Sequence, residues 1–318
     1  MKSIRRGVFL LIATFLALHL AGTPVSANVP GIGIAPYGVA YDGTNIWVAN
    51  YSRDTVTKLR AGDGSLVGTY KVPGPWGMAF DGENIWVASY SGGTVTKLKA
   101  ANGALLGVYA VGVNPRAVLC DGRYIWVASG GDRGTVSKLR EDGTMLWTTP
   151  MEDPWGMAFD GSTVWVTNRS TNRVTRLNES GCIVGVYKAG DQPLAIAFDG
   201  AYMWVADNGD DTVTKLSAVD GERVGKFPVG IDSFGIFSDG HYVWIVRANG
   251  VLTQITTQGC LIANFDAGDA PDGIAFDGVN IWVANTEGNV RVFRAYTNSL
   301  VATCNVEQPC RPGTELAR

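Results

Sequence analysis

Short stretches of alternating hydrophobic and polar residues run along most of the chain, and they are rich in Val, Ile, Thr and Trp. Alternation with period two predicts β-strands, because successive side chains of a strand point to opposite faces, and nothing comparable repeats with the period of a helix. The clearest stretch predicts four strands at residues 76–80, 84–89, 94–98 and 105–111. Asp-Gly and Asn-Gly between them favour tight hairpin turns, because glycine adopts positive φ without steric cost.

A six-residue phrase recurs with this pattern: Asp-Gly, two variable residues, an aliphatic residue or Met, and Trp. It occurs seven times at steps of 38–40 residues, beginning at Asp42, Asp81, Asp121, Asp160, Asp199, Asp239 and Asp277. A fixed period near 40 residues with four short strands per repeat is typical of a propeller blade. The sequence therefore predicts an all-β fold, a seven-bladed β-propeller with four antiparallel strands in each blade.

The tryptophans of this phrase hold one corresponding position in every repeat: Trp47, Trp86, Trp126, Trp165, Trp204, Trp244 and Trp282. A ring that serves a ligand is needed once or twice, not in every blade. Burying a tryptophan removes roughly 150–250 Å² from water, which stabilises a fold by about 4–6 kcal/mol at most. We interpret these rings as packing between blades.

Repeat units such as Pro75-Trp-Gly-Met-Ala-Phe-Asp-Gly followed by Ile85-Trp-Val-Ala-Ser resemble those of the NHL, YncE-like and streptogramin-lyase-like propellers. The resemblance covers about residues 31–307 and is specific for the fold. That superfamily includes scaffolds, binding proteins, lactonases and lyases, so the resemblance leaves the function open.

The first 27 residues have the pattern of an export signal. Lys2, Arg5 and Arg6 form a positive start, residues 8–20 are apolar, and Val25-Ser26-Ala27 is a small-residue cleavage site. We therefore predict a secreted or periplasmic protein with a signal peptide at 1–27, a propeller at 28–307 and a C-terminal tail at 308–318. Residues 28–34 align with the end of a fourth strand and are candidates for a latch on the outer edge of the last blade.

Composition and charge exclude some partners. The chain is 46% hydrophobic, enough for a large core, and carries 26 basic and 29 acidic residues. Three basic and no acidic residues lie in the leader, so the exported form has a net charge of −6. An acidic protein without basic clusters is a poor partner for nucleic acid or anionic membranes. We expect a monomer with no membrane span after cleavage, whose partner is a small molecule, a glycan or a protein.

Five cysteines follow the leader, and this odd number leaves one unpaired. Cys120 holds the repeat position that Phe80 holds in the second repeat. We therefore expect it to be a buried small hydrophobic side chain. Cys182 and Cys260 lie in equivalent outer slots two blades apart, which is too far for a bridge. Cys304 and Cys310 are the predicted disulfide, which would close a short loop and tie down the C-terminal tail.

Two sets of positions vary between repeats while the structural slots agree, and both belong to loops on one face of a propeller. We call the position after the blade-opening Pro (Ser in the sixth repeat) the opening slot. It holds Tyr37, Trp76, Arg116, Trp155, Leu194, Phe234 or Asp272. The residue that ends the second strand is Asn50, Ser89, Ser129, Asn168, Asp207, Arg247 or Asn285. From these we predict a ligand-binding site of Tyr37, Trp76, Arg116, Trp155, Phe234, Asp272, Asn50, Asn168, Asp207 and Asn285.

Neighbouring loop residues give this face an aromatic and basic side and an acidic side. Blades one to four contribute Tyr51, Arg53, Tyr90, Arg133 and Arg169. Blades five to seven contribute Asp191, Asp210, Asp211, Asp232, Asp269 and Glu287. Rings can stack on a ligand, and arginine can hold an anionic or polyhydroxylated group. The alternative is that the rings only fill the central channel and that the charges belong to solvated loops.

A bound metal has weak support, and no other cofactor is expected. The Asn and Asp residues at the ends of the second strands resemble the divalent-ion positions of gluconolactonase-like propellers. Asp207 is the best candidate for a Ca²⁺ ligand, since Ca²⁺ prefers oxygen donors. However, Ser89, Ser129 and Arg247 interrupt the ring of such positions.

Enzyme chemistry has less support, and no catalytic residue is predicted. His19 lies in the leader and His241 in a turn on the opposite face, and the sequence has no other histidine. A Ser-His-Asp triad therefore has no histidine near the predicted site. Tyr37 matches the Pro-Tyr-Gly opening of streptogramin lyases, but the other opening slots lack the histidine that the activity of those enzymes needs.

The sequence thus favours an exported, non-enzymatic ligand-binding or protein-interaction propeller. One alternative is a lactonase-like or streptogramin-lyase-like hydrolase or lyase that uses carboxylates and a divalent metal. Another is a purely architectural module of an envelope assembly.

Overall fold

The computed structural model describes residues 25–27, 36–131, 133–286 and 288–295, which form seven four-stranded antiparallel sheets. Each sheet is one blade, and neighbouring blades pack through their inner strands. The other regular elements of these residues are three short 3-10 turns, at Tyr51–Arg53, Tyr90–Gly92 and Arg169–Thr171. No helix among them is long and apolar enough to cross a membrane. The predicted seven-bladed β-propeller is confirmed.

The strands, numbered along the chain, occupy four positions in the blades. The inner strands are β2 (Pro36–Tyr41), β6 (Pro75–Phe80), β10 (Pro115–Cys120), β14 (Pro154–Phe159), β18 (Pro193–Phe198), β22 (Ser233–Ser238) and β26 (Pro271–Phe276). The second strands are β3 (Asn45–Asn50), β7 (Asn84–Ser89), β11 (Ile125–Ser129), β15 (Val164–Asn168), β19 (Tyr202–Asp207), β23 (Tyr242–Arg247) and β27 (Asn280–Asn285).

The remaining two positions complete each blade towards its rim. The third strands are β4 (Thr55–Arg60), β8 (Thr94–Lys99), β12 (Thr135–Leu139), β16 (Arg173–Leu177), β20 (Thr212–Ser217), β24 (Val251–Thr256) and β28 (Asn289–Arg294). The outer strands are β5 (Leu66–Lys71), β9 (Leu105–Ala110), β13 (Met145–Pro150), β17 (Ile183–Lys188), β21 (Arg223–Pro228), β25 (Leu261–Asp266) and, in the seventh blade, β1 (Val25–Ala27).

Burial falls from the middle of each blade to its rim. Every residue of β7 is buried, because neighbouring blades cover both faces of the sheet. The outer strands β5, β9 and β17 instead alternate exposed and half-buried residues over most of their length. Second strands therefore show a continuous apolar run, as in other sheets buried on both faces, and the outer strands face water.

Each Asp-Gly turn is tied to the tryptophan five residues later. In the second blade, Asp81 Oδ2 accepts a hydrogen bond from Trp86 Nε1 at 2.7 Å, and Asp81 Oδ1 accepts from the amide of Asn84 at 2.6 Å. The indole bond recurs in all seven blades at 2.7–3.0 Å. The seven rings are 0–2% exposed, which confirms that they are packing residues. The repeated phrase is thus one unit of turn and buried ring.

A cation lies over the tryptophan ring in each of the first five blades and reaches the next blade. Lys97 Nζ donates to the carbonyl of Glu141 at 2.7 Å, and Lys138 Nζ to that of Glu179 at 2.8 Å. The same slot holds Lys58, Arg176 and Lys215, with cation-to-ring distances of 4.8–5.1 Å across the five blades. Sequence reasoning missed this link between blades, although the cation recurs at the repeat period.

The inner strands pack closely because a small residue follows each opening slot. A Cβ on Gly38 would lie 2.2 Å from the carbonyl oxygen of Trp76 in the next blade. A Cβ on Gly273 of the seventh blade would lie 2.5 Å from the carbonyl oxygen of Tyr37 in the first. Any side chain there would clash, so glycine brings the opening slots together and lets the last blade pack against the first.

The seventh blade takes its outer strand from the N-terminal side of the chain. β1 pairs antiparallel with β28, with Val25 opposite Val292 and Ala27 opposite Val290. This strand coincides with the predicted cleavage site, so cleavage after Ala27 would remove it from the blade. The predicted latch at 28–34 and the tail at 308–318 lie outside the described residues.

Three of the five cysteines lie in the part of the chain that the structure describes. Cys120 and Cys182 are free, and Cys260 is disulfide-bonded. The predicted pair of Cys304 and Cys310 lies outside the described residues. The pairing of Cys304 with Cys310 therefore stays a prediction. The bond at Cys260 was not predicted, because this cysteine holds the same repeat position as Cys182, which is free.

Candidate functional site

The opening slot of each blade lies in a β-bulge at the start of the inner strand. In the first blade Pro36 pairs with Asn50, but the next paired residue is Val39. An equivalent register shift occurs in all seven inner strands. A bulge frees side chains from the regular alternation. The linkers before these slots share a face with the loops that follow the second strands, and the amide of Tyr90 in one such loop donates to the carbonyl of Gly74 at 2.8 Å.

Four slot residues, which we call the aromatic arc, contact one another in sequence: Tyr37, Trp76, Trp155 and Phe234. Tyr37 stacks on Trp76 with ring centroids 3.8 Å apart and planes 7° apart. Trp76 meets Trp155 edge-on at 6.5 Å, and Trp155 meets Phe234 edge-on at 6.3 Å. The last two contacts each skip a blade, so the rings reach across the channel. Because all four are only partly buried, they form a shallow aromatic surface in contact with water.

Two loop tyrosines extend the arc. Tyr90 stacks on Trp76 at 4.8 Å, so this indole has a ring on each side. Tyr51 stands edge-on to both Tyr37 and Trp76 at 5.5 Å. The sequence placed both tyrosines on this face, and the structure brings them into contact with the slot residues.

Two arginines pack on Trp155 and are held by protein partners. The Arg116 guanidinium lies 4.0 Å from the ring centroid of Trp155 and forms an ion pair with Asp153 at 2.6 Å. Arg169 lies 5.3 Å from the same centroid and donates to Gln192 Oε1 at 3.1 Å. Both charges thus contribute to holding Trp155 in place.

Leu194 and Asp272 occupy the two remaining opening slots. Leu194 is buried at 2% exposure. The Asp272 carboxylate forms no hydrogen bond or ion pair with any residue that the structure describes. Burial raises the pKa of Asp272 well above its ordinary value. Burial and the charge of Asp272 together raise the pKa of the Tyr37 hydroxyl. Asp272 is therefore an unpaired carboxyl group next to the arc.

The predicted residues at the ends of the second strands lie inside the blades. Asn50, Asn168, Asp207 and Asn285 are 0–3% exposed. Asn50 Nδ2 donates to Thr57 Oγ1 at 2.8 Å, and Asn168 Oδ1 accepts from Thr175 at 2.6 Å. Asn285 Nδ2 donates to the carbonyl of Ala267 at 3.2 Å. The structure does not bring these side chains into contact with the arc, and their role in binding stays a prediction.

Asp207 is the charged member of this set. Its carboxylate accepts hydrogen bonds from Thr214 Oγ1 at 2.6 Å, Gly190 N at 2.9 Å and Thr212 Oγ1 at 3.2 Å. Burial nevertheless raises the pKa of Asp207 to about 6, because desolvation of the charged form outweighs these bonds. The described residues contain no group of three or more His, Cys, Asp or Glu side chains that could hold a metal ion. The Ca²⁺ hypothesis for Asp207 stays untested.

Several carboxylates on the acidic side of the face already bind groups of their own loops. Asp210 pairs with Lys226 and accepts from the amide of Asp191 at 3.1 Å. Asp211 accepts from the amide of Asp232 at 3.1 Å. Glu287 lies outside the described residues. These carboxylates therefore help to order the linkers of the fifth and sixth blades.

A groove of about 640 Å³ lies between the third and fourth blades, away from the arc. Arg133, Glu152 and Arg173 contribute charge to its lining, with Met151 and Ile183 as apolar neighbours. Asn168, a predicted site residue, lines this groove as well. Sequence reasoning missed the groove because it arises from the packing of two blades and has no motif.

Comparisons with solved structures show the fold. A streptogramin B lyase has a TM-score of 0.72 at 18% identity, with 85% of this chain and 96% of that chain covered. A catalytically inactive His-to-Ala variant of virginiamycin B lyase from Staphylococcus aureus, with quinupristin, has a TM-score of 0.73 at 17% identity, covering 86% and 99%. BamB from Moraxella catarrhalis has a TM-score of 0.62 at 16% identity, covering 82% and 86%.

No protein-family model matches the sequence, and no curated protein matches it. At 16–18% identity, the likeness to these structures concerns the fold and not the activity. The chain has a streptogramin-lyase-like propeller fold, and its seven blades match the resemblance seen in its repeats.

Proposed function

We propose that the protein is a non-enzymatic binding propeller that recognises its ligand or partner with the aromatic arc. The observation that carries the proposal is the continuous contact of Tyr37, Trp76, Trp155 and Phe234, all partly exposed at the mouth of the channel. Aromatic side chains supply large contact area at low entropic cost and are enriched in the energetic centres of interfaces.

The packing around the arc supports binding rather than mere filling. Trp76 is held between Tyr37 and Tyr90, and Trp155 is held by Arg116 and Arg169. Rings that are fixed before a ligand arrives lose little freedom on binding, which improves affinity. A channel plug, by contrast, needs no fixed rings at the water-exposed surface.

The distribution of histidine argues against lyase chemistry at this face. A neighbouring lyase structure is described as catalytically inactive after replacement of one histidine by alanine. In this chain the opening slots contain no histidine, and the exposed His241 lies in an Asp-Gly turn, where its amide donates to Asp239. Such turns belong to the face opposite the arc. We therefore expect no turnover of a streptogramin depsipeptide or of simple lactones, with or without added Ca²⁺.

Action outside the cytoplasm is part of the same proposal. The leader pattern in the first 27 residues supports it, and so does the disulfide at Cys260, since disulfides persist in oxidising compartments.

The test is ligand-observed NMR with a panel of organic ammonium ions, carboxylates, monosaccharides and dipeptides. We expect at least one class to bind, and its signal to disappear in the double variant Trp76→Ala/Trp155→Ala. Trp147→Ala is the matched control, because this ring packs on Trp126 at 5.0 Å in the outer part of the third blade. Absence of any binding, or equal binding by the double variant, would refute the proposal.

A further inference from the structure

We propose that the arc face recognises an ammonium group, with Asp272 as the counter-charge and aromatic rings on either side of it. This inference rests on the proposed binding function and names the chemistry of the ligand. It reverses the expectation from sequence that arginines on this face hold an anion.

The arginines that touch the arc are already engaged. Arg116 and Asp153 pair at 2.6 Å with side chains only 11% and 16% exposed. Arg169 is bonded to Gln192. An anionic ligand would have to break these contacts, and the loss would offset much of what it gained.

Asp272 is in the opposite situation. Its carboxylate has no hydrogen-bond or ion-pair partner among the residues that the structure describes. A partly buried charge without a partner is costly, so a cation that reaches it removes an existing penalty.

The inner-strand order places Asp272 between two rings of the arc. A Cβ on Gly235, next to Phe234, would lie 2.7 Å from the Asp272 carbonyl oxygen. On the other side, Gly273 packs equally closely against the carbonyl of Tyr37. Phe234 and Tyr37 therefore occupy the slots on either side of the carboxyl group.

Aromatic rings favour this choice of ligand. Ring faces attract cations, and quaternary ammonium groups are recognised by rings arranged around them. The arc already binds cations in this way, since two guanidiniums lie 4.0 and 5.3 Å from the centroid of Trp155. Between Tyr37 and Phe234, a cation would meet aromatic rings and, in addition, the carboxylate of Asp272.

Binding should strengthen as the pH rises, because a cation needs the ionised carboxylate and burial raises the pKa of Asp272. The strands packed on β26 are β2, β22, β23 and β27. At this end of them the other titratable or charged groups are Tyr37 and Arg247. The pKa of Tyr37 is raised above 10, so this hydroxyl stays neutral from pH 5 to 8. Burial lowers the pKa of Arg247, but a guanidinium keeps its charge over that range. Asp207, whose pKa is about 6, also titrates in that range, although it is completely buried in the fifth blade. A change of affinity that persists in Asp207→Asn therefore reports on Asp272.

The probes are choline and the peptide acetyl-Gly-Lys-Gly-amide. Their binding is measured by tryptophan fluorescence and calorimetry. The neutral control is 3,3-dimethylbutan-1-ol, which has the shape of choline without its charge. We expect saturable binding of at least one cation and at least tenfold weaker binding of the alcohol. The tighter of the two cations tells whether the source is a free ammonium compound or a lysine side chain of a partner.

Asp272→Asn should weaken cation binding at least tenfold. Asp220→Asn, which removes the same charge from an exposed turn between β20 and β21, should leave it within twofold. If Asp272→Asn does not fold, the wild-type pH series still decides, with binding expected to tighten as the pH rises.

Three results would overturn the inference: binding of neither cation, equal binding of the alcohol, or affinity that changes with neither pH nor Asp272→Asn. If other fragments bind and require Trp76 and Trp155, the proposed function stands and only this inference falls.

Discussion

At the residue scale, the ends of the second strands show how burial decides the role of a polar side chain. Asn50 and Asp207 hold one slot in different blades, and both are completely buried. Each bonds to the threonine seven residues later, at 2.8 Å to Thr57 and 2.6 Å to Thr214. The Asn50 amide makes this hydrogen bond without burying a charge. The Asp207 carboxylate makes it too, but its charged form loses its hydration in the blade interior.

Replacing Asp207 by Asn should stabilise the protein at neutral pH. Since folding raises the pKa of Asp207 from 3.8 to about 6, the stability it contributes is present below about pH 4 and lost as the pH rises through 6. Two pKa units correspond to about 3 kcal/mol. The variant should therefore exceed wild type in stability by up to ~3 kcal/mol at pH 7.5 and lose this advantage near pH 4. Urea unfolding across this range measures the difference, and a pH-independent difference would contradict the explanation.

At the element scale, the repeated phrase joins a hairpin turn to the core of its blade. In the fourth blade, Trp165 Nε1 donates to Asp160 Oδ2 at 2.8 Å, and the ring is completely buried. Arg176 lies over the same ring and donates to the carbonyl of Val219 in the fifth blade at 3.1 Å. One ring thus connects a turn, a sheet and the neighbouring blade.

Trp165→Ala should therefore lower the free energy of unfolding by about 3–5 kcal/mol, through the cavity and the lost contacts. Trp147→Ala is the matched comparison, because its ring is half-buried on the outer strand β13, and we expect a smaller loss. Thermal and denaturant unfolding provide the measurement. An unchanged melting temperature of Trp165→Ala would show that the rings are not the packing residues we take them for.

At the scale of the whole molecule, the period of the sequence predicts the propeller, because each blade repeats the same four strands, Asp-Gly turn and buried tryptophan. The strands predicted at 84–89 and 105–111 are observed as β7 and β9, with ends shifted by one residue at most. The face of the site also follows, since the chain direction alternates in every blade. The contact of Trp76 with Trp155 could not be predicted, because it joins side chains from blades that are not adjacent.

The burial of Asn168 and Asp207 could not be predicted from the sequence either. Their slot varies in residue type, like the slots of a binding surface, but the variants are alternative hydrogen-bond partners for threonines of the third strand. A slot that tolerates Asn, Ser and Asp indicates polarity in the sequence, and only the structure shows whether that polarity faces water or the blade interior.

The most direct test of ligand binding at the aromatic arc is hydrogen–deuterium exchange with and without the tightest-binding fragment of the NMR panel. We expect protection on binding at the linkers before Trp76, Arg116 and Trp155 and at the turns Tyr51–Arg53 and Tyr90–Gly92, which surround the arc. Protection confined to the Asp-Gly turns of the opposite face, or to the groove between the third and fourth blades, would contradict binding at the arc.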